Sequence, residues 1–189
     1  MQIVQTPQQD ILHSKRPTLP SQDGYRGRFA PSPSGLLHFG SLITALASFL
    51  DAKSTIDAQG NEGKWLVRIE DIDPPREQAG ASAEILKTLD AFGLHWDEPV
   101  LYQSQQSDYY HHILNELKQK KLCYYCQCTR AEIKALGGIY KSHCRTLTNP
   151  EKNSATRLVN QYGLYQFDDI FQGHFTCDKA LAEEDFIIH

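Results

Sequence analysis

The stretch Arg28-Phe-Ala-Pro-Ser-Pro-Ser-Gly-Leu-Leu-His-Phe-Gly-Ser41 constrains this chain more than any other. It opens on a short extended run, Gly27 to Ala30. Pro31 and Pro33 hold the following backbone out of helix, because each fixes its own φ and biases its predecessor to extended geometry. Gly35 permits a turn that other residues resist. From Gly40 the apolar residues Leu42, Ile43, Leu46, Phe49 and Leu50 fall at helical spacing. The pattern predicts a strand, a proline-stiffened loop and a helix. A helix start at the carboxyl end of a strand offers free N–H groups and a positive dipole end, which suit an anion. In open α/β sheets that crevice is where ligands bind.

The rest of the first half repeats the alternation. Residues 1–24 are rich in Gln, Pro and Ser without a period and are expected to form a flexible tail. Lys64-Trp-Leu-Val-Arg-Ile-Glu70 predicts a buried parallel strand, stopped by Asp71-Ile-Asp-Pro-Pro75. Glu77 to Phe92 predicts a helix with Ile85, Leu86, Leu89 and Phe92 on one face and Gly93 as its stop. Leu101-Tyr-Gln103 is a short strand. Ser104 opens a helix to Gln119 with a stripe of Tyr110, Ile113, Leu114 and Leu117. Leu122 to Tyr125 is extended again. The expected fold is α/β, with a Rossmann-type parallel sheet over residues 25–125. Residues 126–177 break the rhythm and are expected to form a small inserted domain. Residues 178–189, ending on Asp185-Phe-Ile-Ile-His189, are expected to start a return strand that is cut short.

Composition narrows the class. The net charge of −4 argues against indiscriminate nucleic-acid binding. Charge is uneven, however: Lys118, Lys120, Lys121, Arg130, Lys134, Lys141 and Arg145 face a single acid, Glu132, within one stretch. That stretch is either a local phosphate contact or a solvated face. No run approaches the roughly 20 apolar residues that span a membrane, and the N-terminus has no apolar segment of signal length. A cytoplasmic location, no membrane partner and a monomer are expected. Five cysteines, an odd number, fit a disulfide framework poorly and a metal site better.

Three constellations carry chemistry. His38 at a helix entry can donate to a phosphate oxygen, though a lone surface histidine there is equally ordinary. Arg28 on a strand end has the planar donor fork that suits a carboxylate, or a surface salt bridge. Glu70 ends the second strand beside the same crevice; with Asp71 and Asp73 it is also readable as a turn acid. Cys126-Gln-Cys128 and Cys144 supply three thiolates for tetrahedral zinc. The residues leave the fourth ligand open between His143 and Tyr140. Cys123 and Cys177 fall outside this pattern, as buried thiols.

His38-Phe39-Gly40-Ser41 resembles the "HIGH" signature of class I aminoacyl-tRNA synthetases, and Arg28 to Gly35 resembles their glutamate-specific branch. Arg68-Ile-Glu-Asp-Ile-Asp73 and Gly137-Gly-Ile-Tyr-x-x-x-Cys144 extend the likeness toward the glutamyl-Q family, shortened relatives of glutamyl-tRNA synthetase. The resemblance implies ATP-dependent activation of L-glutamate and its transfer to the queuosine base of tRNA(Asp). It implies ATP contacts at Pro31, Ser32, Gly35, His38, Gly40 and Ser41, with His38 and Ser41 catalytic and Mg2+ accompanying ATP. It implies glutamate contacts at Arg28, Phe29, Ala30, Pro31, Ser32 and Glu70. It implies one structural Zn2+ on Cys126, Cys128, Tyr140 and Cys144. Ser41 replaces the signature's second histidine, so it can donate one hydrogen bond but carries no charge. The family's second, lysine-serine signature loop has no counterpart here, so a missing C-terminal part is expected. A front half of a glutamyl-tRNA synthetase and a non-catalytic zinc- or RNA-binding fragment are the competing expectations.

Overall fold

The computed structural model describes residues 24–189; the expected tail over 1–24 lies, apart from Gly24, outside them. The described residues divide into two compact units, 24–106 and Ser107–His189. No helix among the described residues is long and apolar enough to cross a membrane.

The first unit is built on three parallel strands, β1 (Arg26–Phe29), β2 (Lys64–Ile69) and β3 (Leu101–Tyr102), in the order β1-β2-β3. The register sets Arg28 beside Leu66 and Arg68 beside Leu101. Parallel strands need crossovers, supplied by α1 (Phe39–Ser54) and α2 (Ala81–Ala91). β2 buries one face: Trp65, Val67 and Ile69 are sealed, whereas Leu66 and Arg68 are half-buried. Trp65 anchors the core. Its ring meets Phe49 edge-on at 5.3 Å and lies parallel to Phe29 at 6.4 Å, and its Nε1 donates to Ser48 Oγ at 2.9 Å.

α1 seats itself differently from its apolar spacing. The positions against the core are Leu42, Ala45, Phe49 and Ala52, while Ile43, Leu46 and Leu50 are about half exposed. The alanines decide this, because they let the helix lie close to the sheet. A Cβ on Gly27 would stand 3.0 Å from that of Ala52. The helix expected from Glu77 begins only at Ala81, after a 3-10 turn at Pro74–Arg76 and Gly80 in the left-handed region at φ 81°. Gly93, at φ 71°, ends it as expected.

The second unit starts with α3 (Ser107–Gln119), whose most buried residue is Leu114. The strand after it, β4 (Cys123–Cys126), pairs antiparallel with β5 (Ala155–Leu158) and so does not extend a parallel sheet. Leu158 N–H donates to Phe186 O at 3.0 Å and Ile188 N–H to Thr156 O at 2.9 Å, which lays the last residues along β5. A hairpin, β6 (Gln166–Asp169) and β7 (Gly173–Thr176), and the short helices α4 (Arg130–Ala135) and α5 (Lys179–Ala182) complete the unit. α4 carries a capping box between Thr129 and Glu132.

The buried polar centre of this unit is Asp185, which is sealed from solvent. It accepts from Tyr124 Oη at 2.6 Å, Asn160 N–H at 2.7 Å and Arg145 Nη2 at 2.5 Å. Burial works to raise its pKa, but these donors outweigh it and hold the carboxyl down to about 2.

Candidate functional site

The loop between β1 and α1 is fixed by its backbone. Glu70 N–H donates to Pro31 O and Gln78 N–H to Pro33 O, each at 2.9 Å. These bonds tie the proline loop to the carboxyl end of β2 and to the segment before α2. A proline accepts but cannot donate, so both ties run from the neighbouring segments into the loop. Gly35 follows at φ 148°.

His38 caps α1. Its Nδ1 accepts from Ser41 N–H at 3.2 Å, and its Nε2 lies 2.9 Å from Ser41 Oγ. The tautomer that satisfies both bonds carries its proton on Nε2, where the hydroxyl oxygen accepts it. Gly40 has a steric reason: a Cβ there would stand 3.2 Å from Cε1 and Nδ1 of His38. The glycine makes room for the imidazole.

Two cavities flank this loop. One, of about 300 Å³, is lined by residues from Phe29 to Ser32 and by Gly35, His38 and Ser41. The other, of about 150 Å³, is lined by Ser32, Ser34, Glu70, Asp73, Arg76 and Glu77. Ser32 and Ser34 face both. The structure therefore gathers Phe29, Ala30, Pro31, Ser32, Gly35, His38 and Ser41 at one cavity and joins Glu70 to it through the serines. Arg28 stands exposed on β1 and lines neither cavity; Gly40 lies behind His38. Glu70 pairs with Arg68, and Asp73 with Arg76. Asp71 turns away to accept from Ser104 N–H at 2.9 Å and Oγ at 2.6 Å. Burial raises the Asp71 pKa, and those two bonds reverse the shift. Arg76 and Glu77 could not be found from sequence, because the Pro74-Pro75 turn that places them reads as a strand stop.

The thiols converge in the second unit. All five cysteines are free, and Cys126, Cys128 and Cys144 have their sulfurs within 4.8 Å of one another. Cys128 Sγ is 3.4 Å from Cys144 Sγ. Two thiolates on tetrahedral zinc stand roughly 3.8 Å apart, given bonds of about 2.3 Å. The donor set therefore fits a zinc-sized ion. Both residues considered for the fourth ligand are at hand. His143 Nε2 lies 3.3 Å from Cys128 Sγ and 3.5 Å from Cys144 Sγ, on an exposed residue. Tyr140 is buried, and its oxygen accepts Cys144 N–H at 3.0 Å. Burial raises the pKa of Cys128, as do the neighbouring thiols of Cys144 and Cys126. Burial also acts to raise that of Cys126, but Cys128 N–H, Arg157 and Tyr140 outweigh it and draw the thiol down. Cys123 and Cys177 stay outside the cluster, half-buried.

Comparison with known proteins agrees with this geometry. Residues 25–161 match the family model described as tRNA synthetases class I (E and Q), catalytic domain. A relative from Colwellia psychrerythraea named glutamyl-Q tRNA(Asp) synthetase is 69% identical over 94% of this chain and 57% of its own length. One of the same name from Photorhabdus laumondii is 50% identical over 95% of this chain and 53% of its own. The chain thus spans little more than half the length of these relatives. A crystal structure of a glutamate tRNA ligase from Elizabethkingia meningosepticum superposes with a TM-score of 0.66 at 26% identity, over 87% of this chain and 38% of that one.

Proposed function

The chain belongs to the class I tRNA synthetases of the glutamate and glutamine group, and we propose that it serves ATP-dependent activation of L-glutamate and transfer of that glutamate to the queuosine base of tRNA(Asp). One observation carries the reading. A histidine-capped helix opens onto a cavity beside the proline loop between β1 and α1, and that loop is tied to the carboxyl end of β2. The relatives at 69% and 50% identity, both named glutamyl-Q tRNA(Asp) synthetase, support this choice of amino acid and of modified tRNA.

Activation joins the α-carboxylate oxygen to the α-phosphorus of ATP and expels pyrophosphate, so it needs positioning and charge stabilisation more than a nucleophile. Ser41 presents its hydroxyl proton to the phosphates, and His38 presents its Nε2–H once that proton leaves Ser41 Oγ, with Mg2+ accompanying them, and Pro31, Ser32, Gly35 and Gly40 shape the nucleotide's approach. Glu70 offers a carboxylate to the α-ammonium, with Phe29, Ala30, Pro31 and Ser32 as the wall, and Arg28, exposed on β1 outside both cavities, offers its fork to the glutamate side chain from the rim. Cys126, Cys128, Cys144 and Tyr140 hold one structural zinc. Bound there, the ion would staple the end of β4 to the segment that carries Tyr140 and Cys144. The test is pyrophosphate exchange into ATP by the purified protein, followed by transfer of labelled glutamate to tRNA(Asp) with and without queuosine. Exchange should require glutamate and transfer should require queuosine. Exchange driven equally by glutamine, or transfer to tRNA lacking queuosine, would overturn the assignment.

A further inference from the structure

Arg157 has no place in any motif, yet it lies at the metal centre. It sits on β5, 3% exposed, with its guanidinium carbon 3.7 Å over the ring of Tyr140. In the β4–β5 register it stands opposite Tyr124, and Cys126 stands opposite Ala155. Residues two apart along a strand share a face, so Arg157 and Cys126 are diagonal neighbours on one side of the sheet. Its Nη1 donates to Asp185 O at 2.5 Å, whereas its buried Nε has no hydrogen-bond partner. Both of these partners, a carbonyl and a ring face, are neutral. A buried guanidinium without an anion is costly, so the position calls for a negative partner.

The centre supplies one. Three thiolates on a divalent ion leave one excess negative charge, and an anionic tyrosine oxygen leaves two. We infer that Arg157 is the counter-charge and positioning residue of this zinc centre: it offsets the excess negative charge of the ligand set and holds Tyr140 as the oxygen ligand. This role rests on the zinc reading proposed above. It also accounts for the cation over the Tyr140 ring rather than over the exposed His143, since a cation on the ring face favours the anionic oxygen.

The experiment is chelator competition for zinc on the wild type, Arg157→Lys, Arg157→Gln, Tyr140→Phe and the Arg157→Gln, Tyr140→Phe double variant. Loss of an outer partner of a metal site typically weakens the metal by about 10–100-fold, and Arg157→Gln should do so. Arg157→Lys keeps the charge and should recover most of the affinity. In the Tyr140→Phe background the Arg157→Gln effect should shrink, because the oxygen it supports is gone. Absence of zinc from the wild type would overturn the centre, and the role of Arg157 with it. Zinc in the wild type held equally well by Arg157→Gln, or a loss of the same size with and without the Tyr140 oxygen, would overturn the role of Arg157 alone.

Discussion

Arg145 closes a two-pronged ion pair on Asp185, through Nη2 to Oδ1 at 2.5 Å and Nε to Oδ2 at 3.1 Å. The carboxylate is sealed from solvent, so removing the arginine strands a buried charge. Breaking such a pair from one side costs roughly 3–5 kcal/mol. Arg145→Ala should lower the urea midpoint of the second unit accordingly. Asp185→Asn, which removes the charge but keeps acceptor and shape, should cost less. An Arg145→Ala midpoint equal to the wild type would show that the pair contributes nothing to the unit.

The same carboxylate sets an acid limit. Its folded pKa lies near 2 against an ordinary value of 3.8, so the folded form favours the ionised state. A depressed carboxyl contributes stability that is full above the unfolded pKa and is lost as pH falls through the folded one. The difference amounts to about 2 kcal/mol. The stability gap between the wild type and Asp185→Asn should therefore be constant above pH ~5 and close between pH ~4 and ~2. A gap unchanged down to pH ~2 would refute the ionic account.

Much of the first unit was legible because its signals are local. Pro31, Pro33 and Gly35 act on their own backbone, and Lys64 to Ile69 is a β-rich, mostly apolar run bounded by turn residues. What escaped depends on partners. α1 carries more leucine and isoleucine on its outer stripe than alanine on its inner one, and only the distance to the sheet reveals that Ala45 and Ala52 face inward. β4 reads as one more strand of an alternating fold, and its antiparallel partner lies about 30 residues on. Asp185 and Arg157 belong to no spacing rule. The cysteines were visible as a cluster since metal ligands recur at short intervals, whereas Tyr140 and His143 both stand beside the thiols, as the spacing had left them.

Metal analysis of the purified protein should give near one zinc per chain. Cys126→Ser removes a buried thiol beside two others and should reduce that sharply, and Cys126→Ser with Cys144→Ser should abolish it. Chelation should lower the thermal midpoint of the second unit, because binding energy here is folding energy. Full zinc retention by the double variant would eliminate this cluster as the site.

Gly40 offers a test of the helix cap that leaves His38 in place. Gly40→Ala puts a methyl 3.2 Å from the imidazole and should push the ring off its bonds to Ser41. Losing one preorganised donor typically costs about 10²–10³ in rate, so glutamate-dependent exchange should fall within that range for His38→Ala and approach it for Gly40→Ala. If the glycine acts through the histidine, the two effects will not add, and Gly40→Ala will cost little in a His38→Ala background. Full additivity would assign Gly40 a separate role.

The basic stretch is narrower in space than in sequence. Lys118 pairs with Glu151 at 2.6 Å, Lys120 with Glu116 at 3.2 Å, and Arg145 is held by Asp185. Arg130 and Lys134 make no ion pair among the described residues and lie one turn apart on α4. With Lys121 and Lys141, which are exposed and likewise make no ion pair among the described residues, they are the cations available to a phosphate backbone. Removing one cation from a phosphate flattens the salt dependence of binding by about 0.7–0.9 in log–log slope. Arg130→Ala with Lys134→Ala should therefore reduce the slope for tRNA by about 1–2 units, while Lys118→Ala and Lys120→Ala should leave it nearly unchanged. Measured tRNA affinities against salt decide it. A slope that drops with Lys118 and Lys120 and ignores α4 would place the phosphates elsewhere.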